Sequence, residues 1–162
     1  MSEKICDHKS VGMLVFNGPK LLLIERKKFP YGFAPPAGHV DGDISFDEAG
    51  KRELYEEVGL ETISIKLIAE GRKEYPCSRI DGSWHYWKIF QATARGTLKA
   101  NKTETVQVQW FTPQHIKMFA TRTKKYLAKQ TSDHDWKLAP GIELVWYEWF
   151  QDFGLIPESY NL

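Results

Sequence analysis

Two short apolar blocks, residues 11–16 and 21–24, are rich in β-formers and flank the turn sequence Asn17-Gly18-Pro19. Blocks of that length joined by turn chemistry predict a β-hairpin. Residues 27–38 lose the pattern and are punctuated by Pro30, Gly32, Pro35, Pro36 and Gly38. That stretch reads as a loop, and so long a loop in a compact domain is usually functional. Ser45 and Glu48 have capping-box spacing and open a helical pattern over 46–58, with Gly59 where a left-handed terminal residue is wanted. Residues 63–69 and 86–94 read as strands, and 106–111 alternates apolar and polar side chains like a half-buried strand. Thr112-Pro113 caps a helix running to about residue 129. Residues 131–135 are a polar break, after which Pro140-Gly141 opens a last helix through Phe153, stopped by Gly154. Strands followed by helices, with one helix early, predict an α+β protein: an αβα sandwich on a mixed sheet with an added C-terminal helix.

Composition narrows the function classes. The chain has 162 residues, the size of one domain, and its 42% apolar and 27% charged residues suit a soluble globular protein. A net charge of +1 creates no bulk attraction for nucleic acid or anionic membrane, so a nucleic-acid module is not expected. Cys6 and Cys77 form no Cys-x-x-Cys pair. They read as ordinary reduced thiols rather than a zinc knuckle or redox motif. Residues 1–11 contain no apolar run of the signal-peptide kind, and no stretch approaches the roughly 20 apolar residues of a membrane span. The expected location is the cytoplasm.

The candidate chemistry lies in residues 38–60, GHVDGDISFDEAGKRELYEEVGL. Placed on a helix relative to Glu53, Glu56 falls near about 300° and Glu57 near about 40°. Arg52 falls beside Glu56, while Leu54 and Val58 point toward a core. Three carboxylates on one face repel each other. A hard divalent cation such as Mg²⁺ would relieve that repulsion and bridge substrate phosphates. The turn at 36–38 could bring backbone groups of Ala37 and Gly38 to the same ion. An acidic helix face is otherwise ordinary solvated surface, and the surrounding glycines and Arg52 decide against that reading.

With these residues in place, the sequence resembles the Nudix hydrolase family. Gly38 opens that family's box, and Arg52-Glu53-Leu54-Tyr55-Glu56-Glu57-Val58-Gly59-Leu60 closes it at the right distance. The resemblance extends to the loop ending in Phe33-Ala34-Pro35-Pro36-Ala37-Gly38 and to Trp110-Phe111 before Thr112-Pro113, covering about 10–120. Residues 121–162 would be a helical extension of a single domain. One position departs: the family's first glutamate is Ile44 here. The resemblance implies a hydrolase cleaving a phosphoanhydride bond in a nucleoside diphosphate derivative with Mg²⁺ or Mn²⁺. Glu53, Glu56 and Glu57 would hold the metal together with Ala37 and Gly38. Glu53 would help as base, Arg52 would orient it, and Glu104 would be a general base or further ligand. The alternative is a Nudix-fold sensor that binds a nucleotide without cleaving it.

The substrate is less legible. Arg72, Tyr75 and Trp84 could meet phosphates or stack a base, and His39 follows the metal turn. Pro76 and the Pro36-Ala37-Gly38 turn are found among ADP-ribose-cleaving members of the family. A nucleoside diphosphate sugar and a nucleoside triphosphate therefore both stand as candidates. The aromatic segment 142–150 would pack on the sheet, form a homodimer contact or cover the substrate pocket.

Overall fold

The computed structural model describes residues 4–43 and 45–158, so Ile44 lies outside the described residues. Strand β1 (Lys9–Asn17) turns back into β2 (Lys20–Arg26), with Phe16 opposite Leu21. The proline-rich stretch that reads as loop contains two short strands, β3 (Phe33–Ala34) and β4 (Ala37–His39). Strands of two and three residues leave no alternation to read. Helix α1 (Phe46–Val58) follows, with Ser45 Oγ accepting from Glu48 N and Gly59 in the left-handed region at φ 77°. Both ends match the capping chemistry of the sequence. Next come β5 (Glu61–Lys73), β6 (His85–Arg95) and β7 (Thr105–Phe111). Three helices close the described chain: α2 (Pro113–Leu127), α3 (Asp133–Leu138) and α4 (Leu144–Asp152).

The sheet is mixed. β1 runs parallel to β6 and antiparallel to β4, β5 pairs antiparallel with β6, and β2 pairs antiparallel with both β3 and β7. Each face carries its own core. On one face Ala49, Leu54 and Val58 of α1 pack with Val11, Met13, Leu22 and Phe90. On the other, Ile116 and Phe119 of α2 and Trp146, Trp149 and Phe150 of α4 pack with Leu14, Leu23, Trp87 and Ile89. Helices on both sides of a mixed sheet are the predicted sandwich.

The C-terminal segment departs from the reading in two places. Ser132, in the expected polar break, caps α3 by accepting from Asp135 N at 3.1 Å. The last helix begins at Leu144 because the chain before it is extended. Phe33 N donates to Gly141 O at 2.8 Å and Glu143 N donates to Phe33 O at 3.0 Å, which ties residues 141–143 to β3. Among the described residues no helix is long and apolar enough to cross a membrane.

Candidate active site

Helix α1 turns its carboxylates toward β4. Glu57 is buried, and its Oε1 accepts from the Ala37 amide at 3.0 Å. Gly38 lies directly beneath Glu53: a Cβ there would fall inside the Glu53 carboxylate. Only a glycine allows strand and helix to approach this closely. Arg52 then fixes the surroundings. Its Nη1 donates to Glu53 Oε1 at 2.8 Å and to Glu56 Oε2 at 3.1 Å. Its Nε donates to Asp43 Oδ2 at 2.8 Å and its Nη2 to the His39 carbonyl at 2.9 Å. One guanidinium thus holds two carboxylates of the helix and the backbone of the strand.

The electrostatics follow from this enclosure. Burial raises Glu57 well above the usual carboxylate range, and the charge of Glu53 adds to the effect. Burial also raises Glu53, against the opposing pull of Arg52. A pair of desolvated carboxylates on a cavity wall favours the protonated form, and a cation placed there would displace those protons. The donors are carboxylate oxygens, the hard set that suits Mg²⁺ or Mn²⁺. The residues present therefore fit such a metal.

The carboxylates line a cavity of about 450 Å³ that also takes in Ala37, Gly38, Asn101, Glu104 and Glu143. Glu104 stands in the turn before β7, about half exposed, 3.4 Å from Lys28 Nζ. Glu143 lies across the cavity and is buried, with Oε2 3.8 Å from Arg26 Nε. Burial pushes Glu143 up to about 7, partly offset by Arg26. A second cavity of about 490 Å³ adjoins the first along Phe29, Pro30, Tyr75, Pro76 and Glu143. It is walled by Tyr31, Tyr126, Trp136 and Leu144. Tyr126 and Trp136 stack there at 4.4 Å.

The profile of the NUDIX domain matches residues 7–130. The chain belongs to that family. It is 27% identical over 132 residues to the NAD(P)H pyrophosphatase NUDT13 of Homo sapiens, covering 81% of this chain and 37% of that protein. It is 36% identical over 90 residues to the m7GpppN-mRNA hydrolase NUDT17 of Danio rerio, covering 51% of this chain and 27% of that protein. The chain thus spans well under half the length of these relatives. Among solved structures, the MutT NUDIX hydrolase of Burkholderia pseudomallei superposes with a TM-score of 0.59 at 21% identity, over 66% of this chain and 84% of that one.

Within this Nudix fold the other expected site residues are distributed unevenly. Tyr75 lines both cavities. Arg72 and Trp84 pack on each other, the guanidinium 4.0 Å from the ring centre, and Trp84 stacks on His8 at 4.1 Å. Neither is among the residues lining the two cavities. His39 lines the first cavity and points its ring at Cys6, with Nε2 3.6 Å from Sγ. Burial and the charge of Arg79 hold His39 down at about 4, while burial pushes the Cys6 thiol up to about 11. Sequence reasoning missed Arg26, Glu143 and the cavity wall on α3. No local pattern marks the first two, which meet only because residues 141–143 join β3. The polar Ser132-x-x-Asp135 cap was the one signal that could have revealed α3.

Proposed function

We propose that this Nudix protein is a pyrophosphohydrolase that uses Mg²⁺ or Mn²⁺ to cleave a phosphoanhydride bond in a nucleotide or nucleoside diphosphate derivative. The observation that carries the reading is the convergence of Glu53 and the buried Glu57 on the Ala37-Gly38 backbone, with Glu56 held alongside by Arg52. When bound, the metal would neutralise phosphate charge and acidify a coordinated water. Glu53, Glu56 and Glu57 would hold it, with backbone groups of Ala37 and Gly38 close by.

The chain's own residues supply the rest. The Ala37 amide fixes the direction of Glu57. Arg52 keeps Glu53 oriented, and Glu53, raised by burial, is suited to take a proton from the attacking water. Glu104 at the rim is the candidate for a second base or further ligand. The two adjoining cavities support a division of the substrate: phosphates over the carboxylates, and a base or other flat group between the apolar walls formed by Tyr31, Tyr126 and Trp136. Both a nucleoside diphosphate sugar and a nucleoside triphosphate match that shape. The free cysteines are in keeping with a cytoplasmic location.

A hydrolysis screen over nucleotides, nucleotide sugars and dinucleoside polyphosphates with Mg²⁺ or Mn²⁺ tests the reading. Turnover of at least one class is expected, with a loss of about 100-fold or more in Glu57→Gln, in keeping with mutational losses at charge-stabilising groups. Tight nucleotide binding with no turnover in either metal would replace the hydrolase with a sensor.

A further inference from the structure

The fold gathers a second cluster that the carboxylate chemistry does not use. Cys6 lies just before β1, His39 ends β4, Cys77 lies in the connection from β5 to β6, and His85 begins β6. Their ligand atoms all lie within 4.8 Å of one another. Cys6 Sγ stands 3.3 Å from His85 Nε2 and 3.6 Å from His39 Nε2. In a tetrahedral zinc site, bonds of about 2.3 Å to sulfur and 2.0–2.1 Å to nitrogen put S and N about 3.5 Å apart. The two distances from Cys6 to the histidines are those of such a ligand shell.

We propose that Cys6, His39, Cys77 and His85 form a Cys₂His₂ site for a structural zinc ion.

Three further observations support it. His85 Nδ1 lies 3.1 Å from the Tyr75 carbonyl, which can only accept, so Nδ1 carries the hydrogen. That leaves the Nε2 lone pair of the neutral ring aimed at the cluster, the arrangement by which a carbonyl behind the ring prepares a histidine for a metal. Each sulfur also accepts a backbone amide two residues on: His8 N donates to Cys6 Sγ at 3.3 Å and Arg79 N to Cys77 Sγ at 3.4 Å. Such bonds favour the thiolate that zinc requires, opposing in part the burial that raises the Cys6 thiol. Finally, the two cysteine segments are already paired. Cys6 N donates to Ile80 O at 2.8 Å and Ile80 N to Lys4 O at 3.0 Å. Gly82 makes room for the second sulfur, since a Cβ there would overlap Cys77 Sγ.

Four protein ligands leave no open position, so the ion's role is to fasten rather than to react. It would bind the segment before β1 and the β5–β6 connection to the end of β4. The His39 carbonyl, at that same residue, accepts from Arg52 of the carboxylate helix. Soft sulfur and imidazole donors separate this site from the all-oxygen site beside it.

The test uses the full chain, purified under reducing conditions and loaded with Co²⁺ as a zinc probe. With excess Mg²⁺ present to occupy the carboxylate site, the expected result is one equivalent of thiolate-bound Co²⁺ with tetrahedral ligand-field bands and a thiolate-to-cobalt charge-transfer band, displaced by one equivalent of Zn²⁺. Glu57→Gln should keep the full charge-transfer band even though its turnover is lost, so failure of the zinc site and failure of the hydrolase reading are separable. Cys77→Ser should lose most of that band while circular dichroism shows a folded sheet. Folded wild-type protein with both thiols free by titration and no charge-transfer band would overturn the proposal. So would a Cys6–Cys77 disulfide that persists under the reductant.

Discussion

Gly38 and Glu143 show how much a single position decides at this site. Any side chain at residue 38 must displace the Glu53 carboxylate. Gly38→Ala is therefore expected to cut metal-dependent turnover by about 10- to 100-fold, since misplacing a positioned group by about 1 Å can cost that much. Its cost in stability should stay within the about 1–3 kcal/mol typical of overpacking. Thermal unfolding beside a kinetic assay separates the two. Glu143 gives a pH signature. Burial pushes it up to about 7, whereas in the unfolded chain a glutamate ionises near about 4.3. Between those values the folded protein keeps a proton that the unfolded chain has released, so Glu143 makes stability fall as pH rises through that window. Glu143→Gln should flatten that decline, measured as midpoint temperature against pH in the presence of a chelator. A midpoint that declines as steeply in the variant would contradict this assignment.

The elements differ in how well the sequence announces them. Helix α1 is legible because its cap, its C-terminal glycine and its three carboxylates lie within one continuous segment. Strands β3 and β4 are hidden among prolines, and β4 matters most because Ala37 and Gly38 meet the helix there. The Cys6, His39, Cys77 and His85 cluster is equally hidden. Its members come from four separate segments, and no spacing rule connects them. Helix α3 overlaps the polar break expected at 131–135, yet Trp136 on it walls the second cavity. If a base stacks there, it contributes about 1–3 kcal/mol, and each 1.4 kcal/mol is a factor of ten. Trp136→Leu is expected to raise KM for the nucleotide by about 5- to 100-fold with a small change in kcat. Equal KM values in wild type and variant would remove the base from that wall.

For the whole molecule, the two raised carboxylates would couple binding of the proposed metal to folding. At the proposed metal site, protons would have to leave Glu53 and Glu57 before a cation enters, so affinity should rise with pH, and a ligand that binds only the folded state stabilises it. Saturating Mg²⁺ should raise the midpoint temperature more at pH 8 than at pH 5, and Glu57→Gln should abolish most of the difference. The same coupling meets in a very short piece of chain. Within β4, Ala37 holds Glu57, Gly38 underlies Glu53, and His39 faces Cys6 while its carbonyl binds Arg52. Lengthening or shortening that strand by one residue would flip its faces and disconnect every one of these partners together. For anyone wishing to split, tag or permute the protein, the Asn17–Lys20 turn, where Gly18 has open space around it, is the place to cut. The loop leading into residue 37 should be left at its present length.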